Sequence, residues 1–165
     1  MKNTCSIFVL ILIFFFPSCS DKPDVDLGEE RDKVIQVIDN YSKAHEERDL
    51  NLLMSCFSDD PDIIILGTDE DELWVDKMSM GESQKVAYET FNNITLSVRD
   101  RMVKMNHSGT EAWFYMKVNW YVESGGKDFS INGVRTTGVL EKQNDQWKIV
   151  QLHTSMPIEG QAIPY

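Results

Sequence analysis

Between positions 30 and 48, Val34, Ile35, Ile38, Tyr41, Ala44, His45 and Arg48 recur at three- and four-residue steps, while Glu, Lys and Asp fill the opposite side. This spacing predicts an amphipathic helix with one stripe turned to a core. Asp49 is placed to cap a short second helix that runs to Phe57. Ser58-Asp59-Asp60-Pro61-Asp62 breaks the pattern, residues 63–66 read as a short β-branched strand, and Gly67 stops it. Residues 68–79 read as an acidic loop containing Trp74. Residues 81–92 fit a third helix on the stripe Val86, Ala87, Thr90 and Phe91.

From Ile94 onward the period changes to two. Strands are predicted over 95–105, 110–123, 128–142 and 146–155, with turns at 106–109, 124–127 and 143–145. Helices followed by consecutive strands indicate an α+β architecture. Strict alternation puts Trp113, Tyr115, Lys117, Asn119 and Tyr121 on one face, and Ala112, Phe114, Met116, Val118 and Trp120 on the other. It likewise aligns Phe129, Ile131, Gly133, Arg135, Thr137 and Val139, and then Trp147, Ile149, Gln151, His153 and Ser155. Large apolar side chains therefore fall on both faces of the sheet. One face must meet the helices, and the other is expected to meet a second copy of the chain, giving a homodimer.

The segment before this domain has a different pattern. After Met1-Lys2-Asn3, residues 7–16 form an unbroken apolar run closed by Pro17-Ser18-Cys19. The run is about half the ~20 residues that a membrane-spanning helix needs, and its order is that of a secretory signal peptide. A small residue followed by cysteine at its end resembles the lipobox of bacterial lipoproteins, which implies cleavage before Cys19 and lipid on that residue. The expected organisation is a signal peptide over 1–18, a lipidated tether over 19–29, a domain over 30–158 and a tail over 159–165. The expected location is the bacterial cell envelope, on a membrane facing the periplasm or exterior, with membrane contact through the Cys19 lipid.

Charge narrows the partners. The 165 residues carry 27 acidic and 16 basic side chains, a formal net charge of −11. Such a surface repels phosphate backbones, so no nucleic-acid partner is expected. With Cys5 removed and Cys19 lipidated, Cys56 is left as a single thiol that cannot close an internal disulfide, and it reads as a buried structural residue. Three scattered histidines without HxH or HExxH spacing give no metal site, and no glycine-rich phosphate loop or nucleophile elbow is present, so no cofactor is expected. Asp69-Glu70-Asp71-Glu72 lacks the spacing of a calcium loop and reads as a solvated turn.

Tyr41-Ser42-Lys43-Ala44, Glu47-Arg48-Asp49, Ile65-Leu66-Gly67-Thr68, Trp74-Val75, the run from Arg135 to Lys142 and the run from Trp147 to Pro157 together resemble the NTF2-like superfamily, in particular its SnoaL-like branch. The resemblance spans about residues 30–158. It implies a cone in which three N-terminal helices pack on a strongly curved, mostly antiparallel sheet around an apolar cavity. It also implies that Tyr41, Trp74, Arg135, His153 and Ser155 are pocket wall. It fixes no chemistry, because such domains serve as isomerases, dehydratases, binding modules and assembly modules.

On the residues themselves, His153 shares a strand face with Gln151 and Ser155, and Arg135 and Thr137 lie on the neighbouring strand. A neutral imidazole can move a proton near pH 7, and a guanidinium can grip a carboxylate, so His153 is the candidate acid/base and Arg135 the anchor. The expected ligand-binding set is Tyr41, Trp74, Tyr115, Arg135, Gln151, His153 and Ser155, taking a small apolar or aromatic carboxylate. Three functions follow from this set in order: a small-molecule-binding domain, a small isomerase, dehydratase or hydrolase using His153, and a homo-oligomeric assembly module.

Overall fold

Asp26 sets the start of the first helix: its carboxylate accepts hydrogen bonds from the Gly28 and Glu29 backbone N–H groups, the donors that a helix leaves unpaired. The helix, α1 (Leu27–Glu47), ends where Arg48 takes a left-handed conformation at φ 54°. Asp49 then caps α2 (Leu50–Cys56) by accepting from Leu52 N, and Asp76 caps α3 (Lys77–Thr90) by accepting from Ser79 N. The computed structural model describes residues 25–160 and residue 163. The expected signal peptide, Cys19 and most of the expected tether lie outside the described residues. Helix α1 begins at Leu27, inside the range 19–29 expected for the tether.

Six strands follow the helical stripe: β1 (Ile64–Leu66), β2 (Leu73–Trp74), β3 (Phe91–Met105), β4 (Glu111–Ser124), β5 (Lys127–Gln143) and β6 (Gln146–Ser155). They form one sheet in the order β2-β1-β6-β5-β4-β3, with β1 parallel to β6 and every other pair antiparallel. This corrects the expectation of a cone with a strongly curved sheet. The sheet is mixed and open: its edge strands β2 and β3 do not pair, and β1 and β2, three and two residues long, are too short to carry it round the helices. It is neither closed nor strongly curled.

The helices lie on one face. Helix α1 packs on β3 and β6, α2 on α1 and β6, and α3 on β2, β3 and α2. The core between the layers is built from Val34, Ile38 and Ala44 of α1, Leu53 of α2, and Phe114, Met116, Leu140, Ile149 and Leu152 of the sheet, all buried. Arg31 Nη2 donates to Val103 O at 2.6 Å and Arg48 Nη1 to Phe91 O at 2.7 Å, tying both ends of α1 to β3. At the N-terminal end Glu30 is buried. It accepts from Trp147 Nε1 at 2.7 Å, Lys33 Nζ at 2.9 Å and Lys142 Nζ at 3.1 Å, which joins α1 to β5 and β6. No helix among the described residues is long and apolar enough to cross a membrane.

The strand alternation holds only in pieces. Register shifts fall at Val98/Asp100 in β3, opposite Val118/Trp120 in β5, and between the partners of Val139 and Leu140 in β6. Each shift adds a residue to one strand and turns every later side chain to the other face. In β5 the extra residue adjoins Gly133, whose φ of 73° is the positive value that glycine accommodates best. Ile131 therefore faces the helices together with Val134, instead of aligning with Arg135. In β6 the extra residue is Val150: Val139 pairs with Gln151, whereas Leu140 pairs with Ile149.

Candidate functional site

The core does not fill the space between the layers. A cavity of about 400 Å³ opens between α1, α3 and the helix-side face of the sheet. Its floor includes Tyr41 and His45 of α1, Leu53 and Phe57, and its sheet wall includes Trp120, Val122, Val134, Leu152 and Thr154. Ala87 of α3, Trp74 of β2 and the turn Gly67-Thr68-Asp69 complete it. Glu72 braces that turn by accepting from Thr68 N at 2.6 Å and Asp69 N at 3.1 Å. The fit requires Gly67, since a Cβ there would lie 2.0 Å from the Glu72 carboxylate.

The deep end of the cavity is polar but uncharged. The exposure of His45 is only 5%, and its Nδ1 is 3.1 Å from the Tyr88 hydroxyl. The imidazole makes edge contacts with Tyr41 (4.7 Å between centroids), Trp120 (5.1 Å) and Tyr88 (5.8 Å). Burial pulls its pKa down to about 3, so it is neutral at ordinary pH. Burial likewise raises the Tyr41 and Tyr88 phenols above their ordinary value. His45 Nε2 and Trp120 Nε1 are buried and have no hydrogen-bond partner among the described residues. Among the described residues no lysine or arginine lines the cavity, and the acids in its lining are Asp69 and Glu72 of the turn.

The residues expected from the sequence divide between two faces. Tyr41 and Trp74 line the cavity. Arg135, Gln151, His153, Ser155 and Tyr115 do not. In the sheet register Arg135 lies opposite Ser155, His153 opposite Thr137, and Tyr115 opposite Thr137 on its other side. These side chains share the face turned away from the helices, with Arg135 and His153 exposed. Arg135 Nη2 donates to Met156 O at 3.2 Å. The expected pocket joining Arg135 and His153 to Tyr41 and Trp74 is therefore not formed. The extra residue at Val150 leaves Leu152 and Thr154 facing the cavity and His153 facing away.

Sequence reasoning passed over His45, Trp120 and Tyr88 as a group. The available signal was the four-residue step from Tyr41 to His45 on one helix stripe. Among the described residues, no group of three His, Cys, Asp or Glu side chains is arranged to hold a metal ion. Cys56 is buried in α2, outside the cavity, with its thiol pKa pushed up to about 11 by burial.

Comparison with known proteins identifies the class. The family model described as SnoaL-like domain matches residues 34–159, and the chain belongs to that family. Among solved structures it is similar to an NTF2-like superfamily protein from Salmonella enterica serovar Typhimurium, with a TM-score of 0.73 and 18% identity over 84% of this chain and 99% of that one. It is also similar to a provisionally assigned dehydratase of the NTF2-like family from Streptomyces avermitilis (TM-score 0.71, 16% identity, 79% and 99% covered). A provisionally assigned calcium/calmodulin-dependent protein kinase II association domain from Xanthomonas campestris gives 0.67, with 17% identity and 90% and 100% covered. No curated protein matches the sequence. At such identities these structures share a fold with the chain, and the fold carries more than one function.

Proposed function

We propose that this chain is a small-molecule-binding domain of the bacterial cell envelope, with its ligand held in the cavity between the helices and the sheet. One observation carries the reading: a largely apolar space of about 400 Å³ is walled by aromatic side chains, among them His45 and Trp120, whose Nε2 and Nε1 are buried without a partner among the described residues. Protein interiors are close-packed and their buried polar groups are paired, so such a space is a costly feature in a purely structural module. Its size falls within the roughly 300–1,000 Å³ of small-molecule sites.

Binding is favoured over catalysis. His153 is exposed on the far face, away from any enclosed space. His45 is inside, but a pKa of about 3 makes it a poor proton acceptor near neutrality, and its ring packs against Tyr41, Tyr88 and Trp120 rather than a carboxylate.

Calorimetric titration with 2-ethylnaphthalene, an aromatic hydrocarbon small enough for the cavity, tests the reading. The wild-type domain should bind it. Ala87→Trp, which fills the cavity from α3, should remove binding while thermal melting remains cooperative. Absence of binding to the wild type, or equal binding by the folded variant, would refute the reading.

The N-terminal pattern supports export and anchoring through lipid on Cys19. Mass spectrometry of the membrane fraction should then find an acylated Cys19 as the first residue, and an intact residue 1–19 segment would exclude it. The outer sheet face supports a homodimer, with Trp113, Met102 and Ile64 exposed on it.

A further inference from the structure

We propose that the cavity takes amphiphilic cations: an apolar ring or chain lies between the helices and the sheet, and an ammonium group is held at the β1–β2 end by Glu72 and Trp74. This rests on the reading of the cavity as a binding site and names the charge that its ligand carries.

The β1–β2 hairpin decides where these side chains point. Ile65 pairs with Trp74 and Leu66 with Leu73, and Gly67 N donates to Glu72 O at 2.8 Å, so the next pair is Gly67 with Glu72. Successive pairs alternate between the two faces of a hairpin. Trp74, Ile65, Gly67 and Glu72 therefore share one face, and Leu66 and Leu73 the other. Ile65 is buried in the core and Leu73 is exposed, so the first face is the one turned to the cavity. All four of its residues line that cavity. Gly67 fixes the direction of the Glu72 side chain, because the carboxylate occupies the space that a Cβ on Gly67 would take.

The carboxylate is held in place but not neutralised. Thr68 N, Asp69 N and Thr68 Oγ1 all donate to Oε2, at 2.6, 3.1 and 3.4 Å, which leaves Oε1 for another donor. Among the described residues no lysine or arginine lines the cavity, and the other acid in the lining, Asp69, adds to the negative potential. Bracing the turn uses one oxygen and needs no enclosed apolar space beside it. Trp74 stands two residues away on the same face, about 7 Å along the strand. An indole face attracts a cation within about 6 Å. One ammonium between the two side chains thus meets a carboxylate on one side and a π-face on the other. The net charge of −11 draws cations to the molecule as a whole.

An anion meets the opposite situation. A carboxylate entering the cavity would lose its hydration without gaining a charge partner, which is a heavy penalty in an apolar enclosure. The expected aromatic carboxylate is thus the wrong ligand class for this cavity. The guanidinium that suggested it, that of Arg135, belongs to the other face.

Three naphthalene probes test the assignment by calorimetry: (2-naphthylmethyl)trimethylammonium, its uncharged isostere 2-neopentylnaphthalene, and 2-naphthoate. The ammonium should bind about tenfold or more tightly than the isostere, and the naphthoate more weakly than both. Glu72→Gln keeps an oxygen to brace the turn and removes the charge. It should bring the ammonium close to parity with the isostere, while isostere binding and cooperative thermal melting persist. Trp74→Leu keeps the wall apolar and should remove part of the same advantage. A wild-type protein that binds the isostere as tightly as the ammonium would overturn this assignment alone, and that comparison needs no variant. Naphthoate binding as tightly as the ammonium would also overturn it, as would an ammonium advantage that survives in both folded variants. Failure of all three probes would overturn the cavity reading with it.

Discussion

Glu30 and His45 are both buried on α1, and the chain treats them in opposite ways. Burial alone would push the Glu30 carboxyl up, but hydrogen bonds from Lys33, Trp147 and Lys142 outweigh it and hold the group at about 2, below its ordinary 4.5. His45 has no charged partner, and burial lowers it from 6.5 to about 3. Both folded pKa values are depressed, so in each case the unfolded chain binds the proton first and stability falls as pH falls. The windows differ. His45 costs stability from pH 6.5 downward, and Glu30 from 4.5 downward. Each fully unmatched proton costs about 1.4 kcal/mol per pH unit, so the His45 contribution should reach roughly 2 kcal/mol by about pH 5. Denaturant melts of wild type and His45→Phe between pH 7 and 4 check this. The variant should lack the loss between 6.5 and 4.5 and show only the Glu30 share of the loss below it. Parallel curves would mean that His45 is already protonated in the folded state, or solvated.

At the scale of elements, helix α1, the short α2 and the four long strands were legible because each carries its own period and its own stops. Asp49 before α2 and the glycines of the 124–127 turn mark boundaries by local chemistry. Strand β2 was not legible, since Leu73 and Trp74 become a strand only by pairing with β1. The start of α3 was read four residues late, because Lys77-Met78-Ser79-Met80 shows no clear stripe and the Asp76 cap was counted as loop. The more consequential loss was of phase. A bulge adds one residue without altering composition, so alternation counted through β5 grouped Phe129 and Ile131 with Arg135. Counted through β6, it grouped Trp147 and Ile149 with His153. Gly133 was a visible hint in β5, and Val150 offers none in β6. That slip moved the candidate site to the wrong face. His45 and Trp120 were left out of the expected site because a histidine or tryptophan on an apolar stripe looks like core until the space beside it is seen.

For the whole molecule, the open question is what covers the sheet face that the helices leave bare. Met102 at 58% exposure, Trp113 and Ile64 both at 47%, and the half-buried Tyr115 and Val139 lie on it. In the cross-strand register Trp113 sits between Lys104 and Val139, and Tyr115 between Met102 and Thr137, so the apolar groups are contiguous rather than scattered. Contiguous exposure of this kind marks an association surface more often than isolated apolar residues do. Net charge argues against self-association, since the chain carries −11 and its copies repel. On this face part of that repulsion is offset, since its middle presents Lys104, Lys117 and Arg135, with Asp100 opposite Lys117. Two copies meeting face to face would bury the apolar band between basic and acidic groups, an isologous arrangement that needs no second kind of surface. A stable interface of this type should bury roughly 1,600 Å² in total. Light scattering at about 50 micromolar, a concentration ample for an interface of that size, should report a dimer. Trp113→Glu should convert it to monomer, because it places a charge in the centre of the band. The same variant should still bind 2-ethylnaphthalene, since Trp113 faces away from the cavity. A wild-type monomer at that concentration would rule out pairing through this face, and a dimer indifferent to Trp113→Glu would locate the contact elsewhere, with the edge strand β3 as the next surface to probe.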